Sequence, residues 1–218
     1  MADFVRVTGR EPHFERTKLL LANHPEAKAL VGNAPVTAVA VFGIVAIQLA
    51  IAFLLRDSAW WVILLSGYLL GAFADHALWT LIHECTHNLV FRKSSENSWL
   101  QIAANLPIIL PGAIAFRRYH ILHHNHQGDS ELDADLPSPR EARLVGNSTI
   151  RKIVWLALYF VAQISRVPML HRVKLIDGWY AANILVQAAF IAAVVYAWGW
   201  ASLIYLLLSS ILAIGLHP

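Results

Sequence analysis

Residues 60–91 read WWVILLSGYLLGAFADHALWTLIHECTHNLVF, an apolar stretch without proline. As one helix it would be about 48 Å long, well beyond the ~30 Å of a bilayer's hydrocarbon core. The excess must project past the membrane, and it carries His83, Glu84 and His87. Helical residues three or four apart share a face, so His83 and His87 point the same way. Asp75 and His76 fall inside the apolar part, where ionisable groups are costly and turn toward protein. Two readings stand for His76, two helical turns before His83: a hydrogen-bonded core histidine, or a group at or beside a metal.

Working outward, the same pattern recurs. Val36–Leu55 carries no charge and is long enough to span; Arg56 and Asp57 close it, and Trp60 and Trp61 open the next span as an interfacial aromatic pair. Trp179–Trp198 is a third span, with Asn183 and Gln187 in its first half. After Gly199-Trp200, Leu203–Leu216 is a fourth. Asn97–Ala115 is broken by Pro107 and Pro111-Gly112 and reads as a helix pair at, or dipping into, the membrane surface. Phe14–Val31 reads as a short amphipathic helix and Ile150–Leu170 as interfacial. The composition agrees: 57% of residues are hydrophobic and 14% charged, against roughly 25% charged in soluble chains. The fold class expected is an all-α integral membrane protein, with about four transmembrane helices in two hairpins, interfacial helices and a cytosolic histidine-rich cap. Residues 1–33 form a cytosolic amphipathic segment without a signal-peptide pattern, and 34–218 form the membrane domain.

A net charge of +3 is too modest for a nucleic-acid binder, and the basic residues flank the spans. Sixteen of the seventeen lie before the first span or between the second and third; only Arg56 sits in a hairpin turn. The positive-inside rule makes those sixteen cytosolic and puts both histidine clusters and His217 on that same side.

The second cluster is His120, His123 and His124, again at helical spacing, only 32 residues (88–119) after the first. Five imidazoles in two sets on one side of a membrane are hard to explain as packing, since each would need its own buried partner. A metal supplies one for all, and imidazole suits Fe, Zn and Cu. The loop from His126 to Pro139 is acidic. Asp129 and Glu131 read as a solvated turn. Asp133 and Asp135 stand between that role and accepting hydrogen bonds from the ligand imidazoles. Cys85, the single cysteine, excludes an internal disulfide and reads as a small apolar helix residue.

Two chemistries compete. His83-Glu84 with His87 matches H-E-x-x-H, in which two histidines bind zinc and the glutamate is a general base, as in intramembrane zinc proteases. That leaves the second cluster without a purpose. A pair of irons activating O2 uses both clusters and suits an unactivated C–H bond, which has no acidic proton for side chains to remove. The substrate would be an acyl chain dissolved in the same membrane.

H-x-x-x-H at 83–87 followed by H-x-x-H-H at 120–124, each after apolar segments, resembles the membrane fatty acid desaturases and hydroxylases. Residues 10–16 and 25–28, Ala104-Asn105-Leu106-Pro107, residues 116–120, Asp133-Ala134-Asp135-Leu136-Pro137 and Gly215-Leu216-His217-Pro218 are similar to sphingolipid delta-4 desaturases. The resemblance implies that His83, His87, His120, His123 and His124 ligate two Fe ions, with O2 as co-substrate, and that Glu84 sits behind the ligands. It implies a trans double bond introduced into a sphingoid base, with electrons from a cytochrome b5-type or ferredoxin-type donor. A hydroxylase of the same lipid shares the ligand spacing. The membrane would be the endoplasmic reticulum in a eukaryote or the inner membrane in a bacterium. The family pattern also has a third H-x-x-H-H after the fourth span. The sequence stops at Pro218 before one, so the chain is expected to be a C-terminally incomplete, inactive fragment, with His217 a further candidate ligand.

Overall fold

The structure, a computed structural model, describes residues 12–129, 132–133, 135–166 and 176–214. These are helices and connecting segments, with no strand among the described residues. The expected helix over 14–31 is an α-helix, α1 (Pro12–Asn23), followed by a 3-10 turn at Pro25–Leu30. Asn33 then donates its Nδ2 to the Asn88 carbonyl at 2.8 Å, and the Ala34 amide bonds the Leu89 carbonyl at 2.7 Å. The lead-in to the first span is thereby tied to the histidine end of the second.

Three helices are long and apolar enough to cross a membrane: α2 (Thr37–Leu54), α3 (Trp60–Thr86) and α9 (Gly178–Trp198). Between α3 and α9 lie α4 (Ser94–Asn105), α5 (Ala113–Asn125), α6 (Pro139–Val145), α7 (Thr149–Ala157) and α8 (Tyr159–Arg166). The last described helix, α10 (Trp200–Leu212), has 13 residues rather than the ~20 of an unaided span. The fourth expected span is therefore shorter than its apolar run, and His217 lies outside the described residues. The stretch expected to be interfacial forms two short helices, α7 and α8, and its residues 167–170 lie outside the described residues.

The α3 helix ends sooner than the apolar run. Asn88 adopts a left-handed conformation (φ 56°), its amide bonds the Cys85 carbonyl, and the Leu89 amide reaches back to Glu84 at 3.1 Å. This is a Schellman stop with asparagine in the usual glycine place, and it makes His87 the cap residue. The 27 residues of α3 still measure about 40 Å, so its histidine end outruns a ~30 Å core.

Gln48, Asp75, Tyr205 and Ser210, all buried, join α2, α3 and α10. Gln48 donates to Asp75 at 2.6 Å, Ser210 donates to the other Asp75 oxygen at 2.8 Å, and Tyr205 donates to Gln48 at 2.6 Å. A π-helical turn at Gly67–Gly71 brings Gly71 so close to α10 that a Cβ there would overlap the Ser209 hydroxyl.

The α4–α5 pair is bent by 117° at its proline-containing break. The broken backbone is satisfied by side chains. Asn105 donates to the Leu110 carbonyl and accepts from the Ala113 amide, at 2.7 and 2.9 Å. Asn183 accepts from the Ile114 amide and donates to Asn105, while Gln187 donates to the Leu106 carbonyl. The two amides of span α9 are there because irregular backbone at membrane depth must find its partners inside the protein. Both ends of the bent pair return to the end of α3, which sets the two histidine clusters together.

Candidate metal centre

The C-terminal end of α3 supplies His83 and His87, and the last two turns of α5 supply His120, His123 and His124. Arg117, one turn before His120, fixes the two helices to each other. Its guanidinium donates to the Cys85 carbonyl (3.0 Å), to Asn88 Oδ1 (2.8 Å) and to Ser94 Oγ (2.9 Å). One side chain thus caps α3, holds the left-handed stop and meets the first residue of α4. Sequence spacing gave no sign of this role; only the geometry does.

His83, His87, His120 and His124 each offer one ring nitrogen, all within 4.8 Å of one another. His120 Nε2 lies 3.1 Å from His87 Nε2 and 2.9 Å from His124 Nε2. A neutral imidazole has one N–H and one lone pair. Three Nε2 atoms meeting at one point therefore cannot all be satisfied by each other, whereas a cation would accept all three lone pairs. The rings are packed edge to face, 4.5 Å between centroids for His83–His120 and 4.7 Å for His83–His87. Phe116 stacks on His120 at 4.9 Å and meets Trp79, giving the cluster an apolar wall. Burial, then the neighbouring His83, His124 and His87, pushes His120 down to about 4, so it is neutral at pH 7 and ready to ligate. His87 is lowered as well, first by burial and then by His83 and His124.

The fifth imidazole stands slightly apart. His123 Nδ1 is 2.8 Å from Asp133 Oδ1 and 3.5 Å from Asp135 Oδ2, and these three form a second group able to hold a cation. Its ring centroid is 5.9 Å from that of His120. Asp133, only 3% exposed, also accepts from the amides of Gly128 and Asp135. The structure thus places Asp133 against His123 by a bond that would fix its tautomer. The loop is held from behind: Arg166 bonds the Asp135 carbonyl and pairs with Glu141 through Nε and Nη2, at 3.0 and 2.9 Å. Burial pushes the Glu141 carboxyl up, but bonds from Arg166, the Ser138 backbone and Trp155 outweigh it and bring it to about 2.

Glu84 lies 3.5 Å from His83 Nδ1, half-exposed, beside a ligand candidate rather than among the converging nitrogens. His76 is exposed and belongs to neither group. Cys85 is buried and likewise outside both, as its apolar reading requires. Glu131 lies outside the described residues.

The fatty acid desaturase family model matches residues 58–217, more than half of the chain. The chain belongs to the fatty acid desaturase family. Residues 1–36 match the sphingolipid Delta4-desaturase (DES) family model. Curated relatives extend the likeness along the whole chain. A sphingolipid delta(4)-desaturase of Oryza sativa subsp. japonica is 42% identical over 95% of this chain and 63% of its own length. One of Drosophila melanogaster is 38% identical over 99% of this chain and 67% of its own. A sphingolipid delta(4)-desaturase/C4-monooxygenase of Rattus norvegicus is 36% identical over 100% and 67%. The chain thus spans about two thirds of the length of the curated relatives it matches. No solved structure matches it.

Proposed function

We propose that the protein is a lipid desaturase that introduces a double bond into a sphingoid chain at the delta-4 position, using a histidine-ligated pair of irons and O2. The observation that carries this reading is the convergence of four imidazoles from two helix ends, on a family background of sphingolipid delta(4)-desaturases. The donor set fits iron: imidazoles and carboxylates, with no cysteine in either group. His83, His87, His120 and His124 would hold one ion, and His123, with Asp133 and Asp135 behind or beside it, would serve the second. Two irons need roughly four to six positions each, so further ligands are required beyond these residues, and His217 is one candidate. The ions would supply an O2-derived oxidant strong enough for an unactivated C–H bond.

The protein's own residues do the rest. Asp133 holds the His123 ring in one tautomer, Phe116 and Trp79 keep water from one side of the cluster, and Arg117 sets the spacing of the two ligand helices. Electrons would come from a cytochrome b5-type or ferredoxin-type donor on the cytosolic side, in the endoplasmic reticulum of a eukaryote or the inner membrane of a bacterium. The zinc-protease reading would assign Glu84 as a general base and leave His120 and His124 unused; the family does not favour it. The test is expression of the full-length protein in cells without sphingolipid desaturase, followed by lipid mass spectrometry. A new delta-4 double bond, lost in a His120→Ala variant, is expected. An unchanged saturated base would contradict the proposal, and a C4 hydroxyl without a double bond would replace it with hydroxylation.

A further inference from the structure

The helices α6, α7 and α8 leave their large apolar side chains outside. Leu144, Ile150, Ile153, Val154, Leu158 and Val161 are all exposed. Among the described side chains of these three helices only one is buried, and it is Arg166, at 4% exposure. Apolar packing therefore does not hold the three together; a guanidinium does. Its Nε and Nη2 take both oxygens of Glu141, at 3.0 and 2.9 Å. The rings of Tyr159 and Trp155 stand 5.4 and 6.0 Å from it, within cation–π range. Glu141 in turn accepts from Trp155 Nε1 at 3.2 Å and from the Ser138 amide at 2.8 Å, the second bond closing the capping box that starts α6. A buried ion pair is a poor route to stability, because apolar residues of the same volume do as well or better. What an arginine offers over a leucine is a set of directed donors, and its remaining bond shows where they are aimed.

Nη1 of Arg166 donates to the Asp135 carbonyl at 3.2 Å. The other side of Asp135 faces the histidines. Its amide donates at 2.9 Å to Asp133 Oδ1, the oxygen that lies 2.8 Å from His123 Nδ1. Its own carboxylate is 3.5 Å from the same nitrogen. Turning the Asp135 backbone away from Arg166 would take a partner from Asp133 and move a carboxylate away from His123. Residues 133–138 are thus pinned at both ends and between: Asp133 on His123, Ser138 on Glu141, and Asp135 on Arg166. We propose that Arg166 is a positioning residue for the second metal group, holding the Asp135 backbone so that Asp133 and Asp135 present their carboxylates at His123. This rests on the paired-iron reading and extends it to a side chain that touches no ligand imidazole. The role needs the planar fork. Lysine keeps the charge but is a point donor, poorly matched to two carboxylate oxygens and a carbonyl in fixed directions.

The test uses the full-length protein in phosphatidylcholine nanodiscs, loaded with ferrous iron without O2 and competed with a ferrous chelator. Mössbauer spectra of the same samples separate the two irons. Arg166→Lys should weaken one iron about tenfold, the same one that Asp133→Asn weakens, and leave the other within about twofold. Glu141→Gln keeps a capping-box residue, so α6 still starts, yet removes the charge that orients Arg166. It should loosen the same iron, and it carries the test if Arg166→Lys does not fold. Arg166→Lys combined with Asp133→Asn should cost less than the sum of the two alone, because the route runs through that carboxylate. Two irons loosened alike, neither loosened, or two substitutions that simply add would overturn the proposal. If one iron responds as expected but wild type forms no double bond, the positioning role stands and the desaturase reading falls. If product forms and both the Arg166 and Glu141 variants keep iron as wild type does, the reverse holds.

Discussion

Two polar clusters interrupt this apolar bundle, and they are built on opposite principles. The one joining α2, α3 and α10 closes on itself. Asp75 accepts from Gln48 and Ser210, Gln48 accepts from Tyr205, the second Gln48 N–H finds the Gly71 carbonyl, and the single Ser210 O–H is shared between Asp75 and the Ile108 carbonyl. The one at the α3 and α5 ends does not close, because nitrogens face nitrogens at 2.9 and 3.1 Å. A polar network that satisfies itself staples helices; one that its own donors leave incomplete is built around something else. The contrast is the one expected if the first cluster serves stability and the second holds the proposed cation.

The sharpest way to break this contrast is His120→Ala. It removes the nitrogen shared by His87 and His124, so iron content and product formation should both collapse. The loss should exceed the roughly 10- to 100-fold usual for residues that only orient a ligand. Asp133→Asn should fall within that 10- to 100-fold range in iron affinity, measured by competition with a chelator, because it loosens His123 without deleting a ligand. On the other side of the comparison, Asp75→Ala should lower stability by about 1–3 kcal/mol. Gln48 and Ser210 keep their carbonyl partners, so thermal unfolding in detergent should shift while iron per chain does not. An Asp75 variant that loses iron in step with stability would erase the distinction.

The smallest effect is one of pH. His120 has a folded value of about 4 against an ordinary 6.5. Above 6.5 neither folded nor unfolded chain holds the proton. As pH falls below 6.5 the unfolded chain takes it first, so the metal-free protein should lose stability progressively down to about 4. Thermal stability of the metal-free protein followed from about pH 7 to about pH 4 should show this fall, and His120→Ala should show less of it; an equal fall in both would contradict this.

Much of this was legible in the residues. The apolar run at 60–91 announced a helix too long for a bilayer, and helical spacing gathered each set of histidines on one face. What spacing cannot report is how separate helices meet. Arg117 and Asn88 act through backbone carbonyls and a left-handed turn, which leave no periodic trace. Asn183 and Gln187 read as oddities in a span until the broken backbone at 105–114 gave them partners. His76 had the right register with His83 along the helix, but two turns, about 10 Å, put it out of reach of the converging nitrogens. The α10 helix is shorter than its apolar run because hydropathy marks what tolerates lipid and not where hydrogen bonding stops.

The most direct test of the central claim is X-ray absorption at the metal edge of purified full-length protein, with metal content measured on the same sample. The account predicts about two irons per chain, imidazole nitrogens at roughly 2.0–2.2 Å, and a spectrum that loses imidazole scattering in His120→Ala. Zinc as the sole metal, or iron whose spectrum is unchanged by His120→Ala, would contradict it.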